Sequence, residues 1–168
     1  KPEEGLILWN GATSPVLAAP GNYFAKVTID KDSVELPFEI VADPNYKVSN
    51  ADLKAQEQFL LSVADNFSAI MKTLKGIKEI RTQIQTVQKK TKDTSFQKQS
   101  NAILASLKTI EEALHQTKAK SGQDVLNYPI RLDDKIAGVF GSASSGYTAP
   151  TKQVQETFVD LKAKVDVQ

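Results

Sequence analysis

The sequence predicts an α+β protein that is mainly helical, with a short antiparallel β-module followed by an antiparallel four-helix assembly that contains a long helical hairpin. Two observations carry this prediction. Near the N-terminus apolar and polar residues alternate, which is the period of a strand. Later in the chain apolar residues recur every three or four positions, which is the period of a helix. The expected division is a β-module over 1–45 and a helical bundle over 46–168.

Composition excludes several classes of protein. The 168 residues are 40% hydrophobic, enough for a packed core. Lys and Arg number 21 against 20 Asp and Glu, and a dedicated nucleic-acid binder carries a larger positive excess, so no nucleic-acid partner is expected. Without cysteine and with one histidine, disulfides, thiolate metal sites and multi-histidine sites are excluded, and we expect no metal and no cofactor. No apolar run approaches the roughly 20 residues of a membrane span.

Three strands are predicted in the β-module. The first is the apolar run over 5–10, and the other two are alternating runs over 23–30 and 33–40 that flank a polar connection at Lys31-Asp32. Pro37 cannot donate a ladder hydrogen bond, which predicts an edge strand or a bulge. Three strands leave one apolar face without a second layer. Either the helices cover that face or, as we favour because the chain starts just before a strand, an upstream segment completes the sheet.

Four helices are predicted, at about 50–90, 95–120, 129–140 and 150–166. The first carries a heptad-like stripe from Leu60 to Ile84, and with the second it should form an antiparallel hairpin. Ser121-Gly122 is expected to end the second helix, and Pro129 to stand in the first turn of the third. The Gly/Ser-rich segment 141–146 is expected to be a flexible loop. It lacks the Gly-Lys-Ser/Thr ending of a phosphate-binding loop.

Carboxylates and the lone histidine are the candidates for chemistry. His115 lies four residues after Glu111, so it is expected to be a surface residue paired by helical spacing, with half of a metal site as the alternative. Glycoside hydrolysis needs two carboxyls facing each other across a sugar, about 5–10 Å apart. Glu111-Glu112 and Asp133-Asp134 are adjacent pairs on a helix and point in different directions. Asp133-Asp134 is expected to favour the dipole at a helix start, and no catalytic residue is assigned.

Aromatic residues of the β-module could form its core or a carbohydrate-stacking surface. These are Trp9, Tyr23, Phe24 and Phe38. Aromatic side chains in strands usually belong to a core, so the core is the favoured interpretation.

Positive charge is concentrated at one end of the predicted helical hairpin. Between Met71 and Lys98 eight basic residues stand against two acidic ones. Lys78, Lys89, Lys90 and Lys92 are therefore a possible interaction surface for an acidic partner, a polyanion or lipid headgroups, with an ordinary solvated surface as the alternative. Arg81 falls on the apolar stripe, where a buried guanidinium would need a carboxylate or carbonyl partner.

Short segments along the chain resemble a known family. They are Leu8-Trp9-Asn10, Ala19-Pro20-Gly21-Asn22-Tyr23 leading into Val27-Thr28-Ile29-Asp30, Ala42-Asp43-Pro44, the run 124–132 and Ala149-Pro150-Thr151. The sequence resembles the C-terminal region of bacterial proteins with sortilin-like, BNR-repeat β-propellers, often labelled glycosyl hydrolases. The resemblance implies the end of an immunoglobulin-like sandwich followed by helices. It also implies an exported protein with an extracytoplasmic location, which is periplasmic, on the cell surface or secreted.

These considerations predict a non-catalytic structural or interaction module that is the C-terminal part of a larger exported propeller protein. Its partner would be the upstream propeller or another protein chain. The alternative is an accessory part of a carbohydrate-processing enzyme whose catalytic site lies in the propeller. A third possibility is a homo-oligomer that pairs through the long heptad stripe.

Overall fold

A computed structural model describes residues 6–11 and 13–168. Two strands, β1 (Gly21–Ile29) and β2 (Asp32–Ile40), precede four α-helices. The helices are α1 (Asn50–Gln88), α2 (Thr94–Leu114), α3 (Leu132–Ser144) and α4 (Lys152–Asp166), and a 3₁₀ helix (Gly122–Leu126) lies between α2 and α3. The prediction of an α+β, mainly α fold is confirmed.

Helix α1 is the axis of the molecule. It starts at the Ser49 cap, whose side-chain oxygen accepts a hydrogen bond of 3.1 Å from the backbone N–H of Asp52. Its 39 residues correspond to a length of roughly 60 Å. The buried residues of α1 end at Ile77, so only the first three quarters of the helix take part in a core. The remainder pairs with α2 as a stalk, defined here as the part of the α1–α2 hairpin beyond Ile77.

The core lies where α1 meets α3 and α4. The stripe of α1 contributes Leu60, Val63, Phe67, Ile70, Met71 and Leu74. Facing them, α3 contributes Ile136 and Phe140, and α4 contributes Phe158, whose ring meets that of Phe59 edge-on at 5.5 Å. The predicted heptad stripe is therefore buried against helices of the same chain as far as Ile77. None of the helices among the described residues is long and apolar enough to cross a membrane.

Helix boundaries agree with the sequence for α1 and α4 but not for α2 and α3. Helix α2 stops at Leu114 and not near residue 120, because His115 adopts an extended backbone conformation and turns into the core. Ser121-Gly122 starts the 3₁₀ helix instead of ending α2. Pro129 precedes α3, and α3 extends through 141–144, where a flexible loop was expected. The predicted end of the second helix, near residue 120, and the predicted loop at 141–146 were therefore wrong.

The β-module is a single hairpin and not a three-stranded sheet. Residues 6–10 form no strand, and Gly5 of that predicted strand lies outside the described residues. The connection is Asp30-Lys31, one residue earlier than expected, with Asp30 at a φ of 54°. Positive φ at the first of two turn residues suits the twist of a tight hairpin. Pro37 pairs with Phe24 in a regular register without a bulge, so its expected place on an edge strand is confirmed.

Replacing Ile136 by alanine tests whether the α1–α3 contact is the core. Ile136 is fully buried, so Ile136→Ala should lower the free energy of unfolding by about 2–5 kcal/mol in urea titration. The matched control is Ile103→Ala on the half-exposed surface of α2, which should cost less than about 1 kcal/mol. Equal effects of the two substitutions would contradict this placement of the core.

Candidate functional site

A buried histidine–aspartate pair joins the end of α2 to the start of α3. His115 Nδ1 lies 2.6 Å from Asp133 Oδ2, and both side chains are almost completely inaccessible to solvent. The other carboxylate oxygen, Asp133 Oδ1, accepts a hydrogen bond of 2.7 Å from the backbone N–H of Asp134. The prediction that His115 is a surface residue was wrong. Its partner is 18 residues away, and helical spacing reveals only partners three or four residues away.

Asp134 connects the same helix to the N-terminal segment. Its Oδ1 accepts a hydrogen bond of 2.7 Å from the backbone N–H of Asn10, and the Asn10 side-chain amide donates to the Asp134 carbonyl, also at 2.7 Å. A side chain at Gly138 would come within 3.1 Å of Asn10 Nδ2, so the glycine leaves room for this docking. Burial raises the pKa of Asp134, and hydrogen bonds from the backbone of Asn10 and Trp9 offset part of that rise.

This polar cluster has the geometry of a structural clamp. Asp133 and Asp134 both stand in the first turn of α3, as expected, but they are buried and bond to different partners, His115 and Asn10. The cavity beside Asp134 is about 10 Å³, barely enough for one water molecule. Within 6–11 and 13–168 no group of three or more acidic or histidine side chains could hold a metal ion. The cluster therefore ties α2, α3 and the N-terminal segment together.

Arg81 forms a second long-range pair. Its Nη1 donates to Glu111 Oε1 at 3.1 Å, and its Nη2 donates to Glu111 Oε2, so the pairing is bidentate. Both side chains are half-buried between α1 and α2. The expectation that Arg81 needs a carboxylate is confirmed, and Glu111 serves this arginine and not His115. Such planar pairs fix geometry as well as adding energy, and this one aligns the two helices of the stalk.

The predicted basic surface is exposed. Lys89, Lys90 and Lys92 lie in the turn between α1 and α2, at the end of the stalk, and Lys78 is exposed on α1. The carboxylate of the turn, Asp93, caps α2 through the N–H groups of Ser95 and Phe96. The structure therefore brings Lys89, Lys90 and Lys92 together at the end of the stalk, whereas Lys78 lies near the start of the stalk on α1.

The hairpin carries an apolar face that the rest of the described chain leaves largely exposed. This apolar face consists of Tyr23, Ala25, Val27 and Ile29 of β1 with Val34, Leu36 and Phe38 of β2. Ile29 is 70% exposed, Leu36 55% and Val34 52%. Tyr23 and Phe38 stack at 5.8 Å near the base. The interpretation of these strand aromatics as core was wrong, because the helices do not fold back over the hairpin.

The opposite face of the hairpin is mostly polar. Lys26 and Glu35 face each other across the strands with 3.6 Å between Nζ and Oε1. Phe24, 70% exposed, is the exception on this face. Trp9 belongs to the segment docked on α3, and among the described residues no ring contact joins it to the hairpin aromatics. The four aromatic residues considered for sugar stacking therefore do not form one surface.

A cleft of about 590 Å³ opens at the base of the hairpin, between the start of α1 and the α3–α4 connection. Tyr46 and Tyr147 meet on its wall with ring centroids 4.6 Å apart. The Gln56 amide, in the same wall, donates to the carbonyls of Ala143 and Gly146 at 2.8 and 2.5 Å. Sequence reasoning missed this cleft, since its walls come from segments separated by about 90 residues.

Comparisons with known proteins give no relative. No protein-family model, no curated protein and no solved structure matches this chain. The resemblance to the C-terminal regions of propeller proteins therefore stays a prediction.

Removing one member of the buried pair should be costly. Asp133→Leu leaves the His115 imidazole buried without its partner, so the free energy of unfolding should fall by about 3–5 kcal/mol. The double variant Asp133→Leu/His115→Leu removes both polar groups and should recover more than half of that loss in the same urea titration. A double variant as unstable as the single one would show that the pair is not the relevant interaction.

The raised pKa of Asp134 predicts that the free energy of unfolding depends on pH. Because its folded pKa lies above the ordinary aspartate value of about 4, its contribution to stability is fully present below that value and is lost as pH rises through the folded pKa. In Asp134→Asn this titration is absent. The stability difference, wild type minus variant, should therefore decrease between acidic and neutral pH, measured by urea unfolding at each pH. A difference that grows with pH would contradict the raised pKa.

Proposed function

We propose that this chain is a non-catalytic structural and interaction module that binds a protein partner through the apolar face of its β-hairpin. The observation that carries the proposal is the exposure of that face, with Ile29, Leu36 and Val34 all more than half accessible. Soluble monomers rarely leave a contiguous apolar surface of this kind free, and large exposed patches mark interaction sites.

Covering the face would supply a free energy comparable to the cost of association. Its five large apolar side chains are about half exposed, so burying them completely would contribute about 4–8 kcal/mol in total. They are Val27, Ile29, Val34, Leu36 and Phe38. Association costs an estimated 4–15 kcal/mol in lost freedom and ordering, so binding requires that a partner cover the whole face and not one or two of its side chains.

The helical body supports this use of the hairpin. A two-stranded hairpin is only marginally stable on its own. Here its base is held by the hydrogen bond from the Ala19 N–H to Glu57 Oε1 on α1, at 3.2 Å, and by the Tyr23 hydroxyl, which donates to the Ala19 carbonyl at 2.7 Å. Lys54 pairs with Glu57 and lowers the pKa of that carboxyl, which keeps it an ionised acceptor. The residues just before the hairpin are thus anchored to α1 through Ala19.

The polar groups are consistent with a non-catalytic role. The His115–Asp133 pair, the residues most suggestive of acid–base chemistry, is enclosed, and a general base must reach a substrate proton within about 3 Å. The resemblance to propeller proteins further supports an exported bacterial chain. In that setting the module acts outside the cytoplasm.

Site-specific photo-crosslinking in the producing organism tests the proposal. A benzophenone amino acid in place of Leu36, on the apolar face, should give one discrete crosslinked protein product. The same group in place of Glu35, one residue away on the opposite face, is the matched control and should give none. Absence of a product from Leu36, or equal products from both positions, would refute the proposed docking face.

A further inference from the structure

The register of the hairpin fixes which backbone groups point outward. Strands β1 and β2 are joined by two residues, with Ile29 opposite Asp32. In such a hairpin the closing pair exchanges two backbone hydrogen bonds, and bonded and non-bonded pairs then alternate along the ladder. The N–H and C=O groups of four β1 residues therefore point away from β2. They belong to Asn22, Phe24, Lys26 and Thr28.

The two outer edges of the hairpin are not equivalent. On β2 the outward-pointing residues are Ser33, Glu35, Pro37 and Glu39. Pro37 has no N–H to offer, and the two glutamates place negative charge beside it. Proline and charge at an edge are the usual devices that prevent strand addition. The outer edge of β1 has no proline, so all of its outward N–H groups are available, and its one charged side chain, Lys26, is paired with Glu35 of β2. It is therefore the edge that can accept another strand.

We propose that two copies of this chain associate through their β1 edges, antiparallel and with Ala25 opposite Ala25 on a two-fold axis. The product is a four-stranded antiparallel sheet in the order β2-β1-β1-β2. This inference rests on the proposed function, since it takes the hairpin to be an interaction surface, and it names a second copy of the chain as the partner of its edge.

The sequence of β1 is complementary to itself in this register. All four outward-pointing residues find a partner, because Phe24 faces Lys26 of the second copy and Asn22 faces Thr28. If the two-fold axis passed through Lys26 instead of Ala25, the two Lys26 side chains would lie opposite each other, and like charges directly opposite are destabilising. If the axis passed through Phe24, Pro20, which lacks an N–H, would enter the ladder opposite Thr28.

The pairing also accounts for Phe24. This ring is 70% exposed on the polar face of the isolated hairpin. In the dimer it would be covered by the aliphatic stem of Lys26 from the second copy, whose ammonium group can lie near the ring. Across the four strands, the side chains at this level are then Glu35 and Lys26 of one copy followed by Phe24 and Pro37 of the other. Glu35 and Lys26 form a charge pair at one end of the row, and the Phe24 ring lies beside Pro37 at the other.

Edge pairing and face docking use different surfaces. The pairing uses the outer edge of β1 and places the two apolar faces side by side in one sheet, where they stay available to the partner proposed above. Edge pairing and face docking can therefore occur independently of each other.

A cysteine crosslink tests the register, because the native chain has no cysteine. Opposite residues at a non-hydrogen-bonded position have Cα atoms about 4.5 Å apart, within disulfide range. Ala25→Cys should therefore form a disulfide-linked dimer under mild oxidation. Leu36→Cys, at the same level on β2, is the control. Its two copies would be three strand spacings apart, about 14 Å, and should stay monomeric on a non-reducing gel.

Sedimentation of charge variants tests the same contact without a crosslink. Phe24→Lys places a lysine opposite Lys26 twice per dimer and should weaken dimerisation at least tenfold. Phe24→Glu, which removes the same ring, places a carboxylate there and should retain the dimer. Circular dichroism melting should be unchanged in both variants, since Phe24 is outside the core.

Three outcomes would overturn the dimer. They are a wild-type chain that sediments as a monomer at millimolar concentration, equal effects of the two Phe24 variants, or crosslinking of Leu36→Cys as fast as Ala25→Cys. These outcomes would not affect the proposed face docking, which the photo-crosslink from Leu36 to a different protein tests separately. Conversely, an edge dimer without that crosslink would leave the second copy as the partner of the hairpin and refute face docking.

Discussion

Burial of the α1 stripe against α3 is the constraint on which the other parts of the molecule depend. Val63 and Ile70 of α1 and Ile136 of α3 are almost completely excluded from water, and α4 closes the same core through Phe158. Neither short helix is long enough to be stable in isolation, since most helical stability in proteins comes from packing of an apolar face. The stalk and the hairpin both extend from this core and contribute little to it.

Polar contacts favour one arrangement of the core helices over others. The His115–Asp133 pair sets where α2 ends relative to α3, and the bonds between Asn10 and Asp134 dock the N-terminal segment on the same helix. A buried pair of this kind adds little net stability over an apolar pair of the same size, but an unpartnered member is costly. Packings of the helices that separate these groups are therefore disfavoured, which makes the cluster a device of specificity.

The hairpin differs from the core because its apolar side chains stay exposed. Its strands satisfy each other through a regular register, yet its apolar face gains no burial from the helices. Such a surface costs solubility unless something covers it. Combined with an outer edge of β2 that Pro37 blocks, the hairpin offers one face and one edge for association. This division follows from the alternation of side chains and backbone groups along a strand, which assigns faces and edges at the same time.

By itself the sequence determined the elements whose signals are local. The three-four periodicity located α1 and α4, and alternation located both strands, because periodicity depends on residues a few positions apart. Only the tertiary structure decided that α2 ends at Leu114, that His115 is buried, and that no strand forms over residues 6–10. Those outcomes depend on contacts between residues 18 and 124 positions apart, whose energies leave no trace in local spacing.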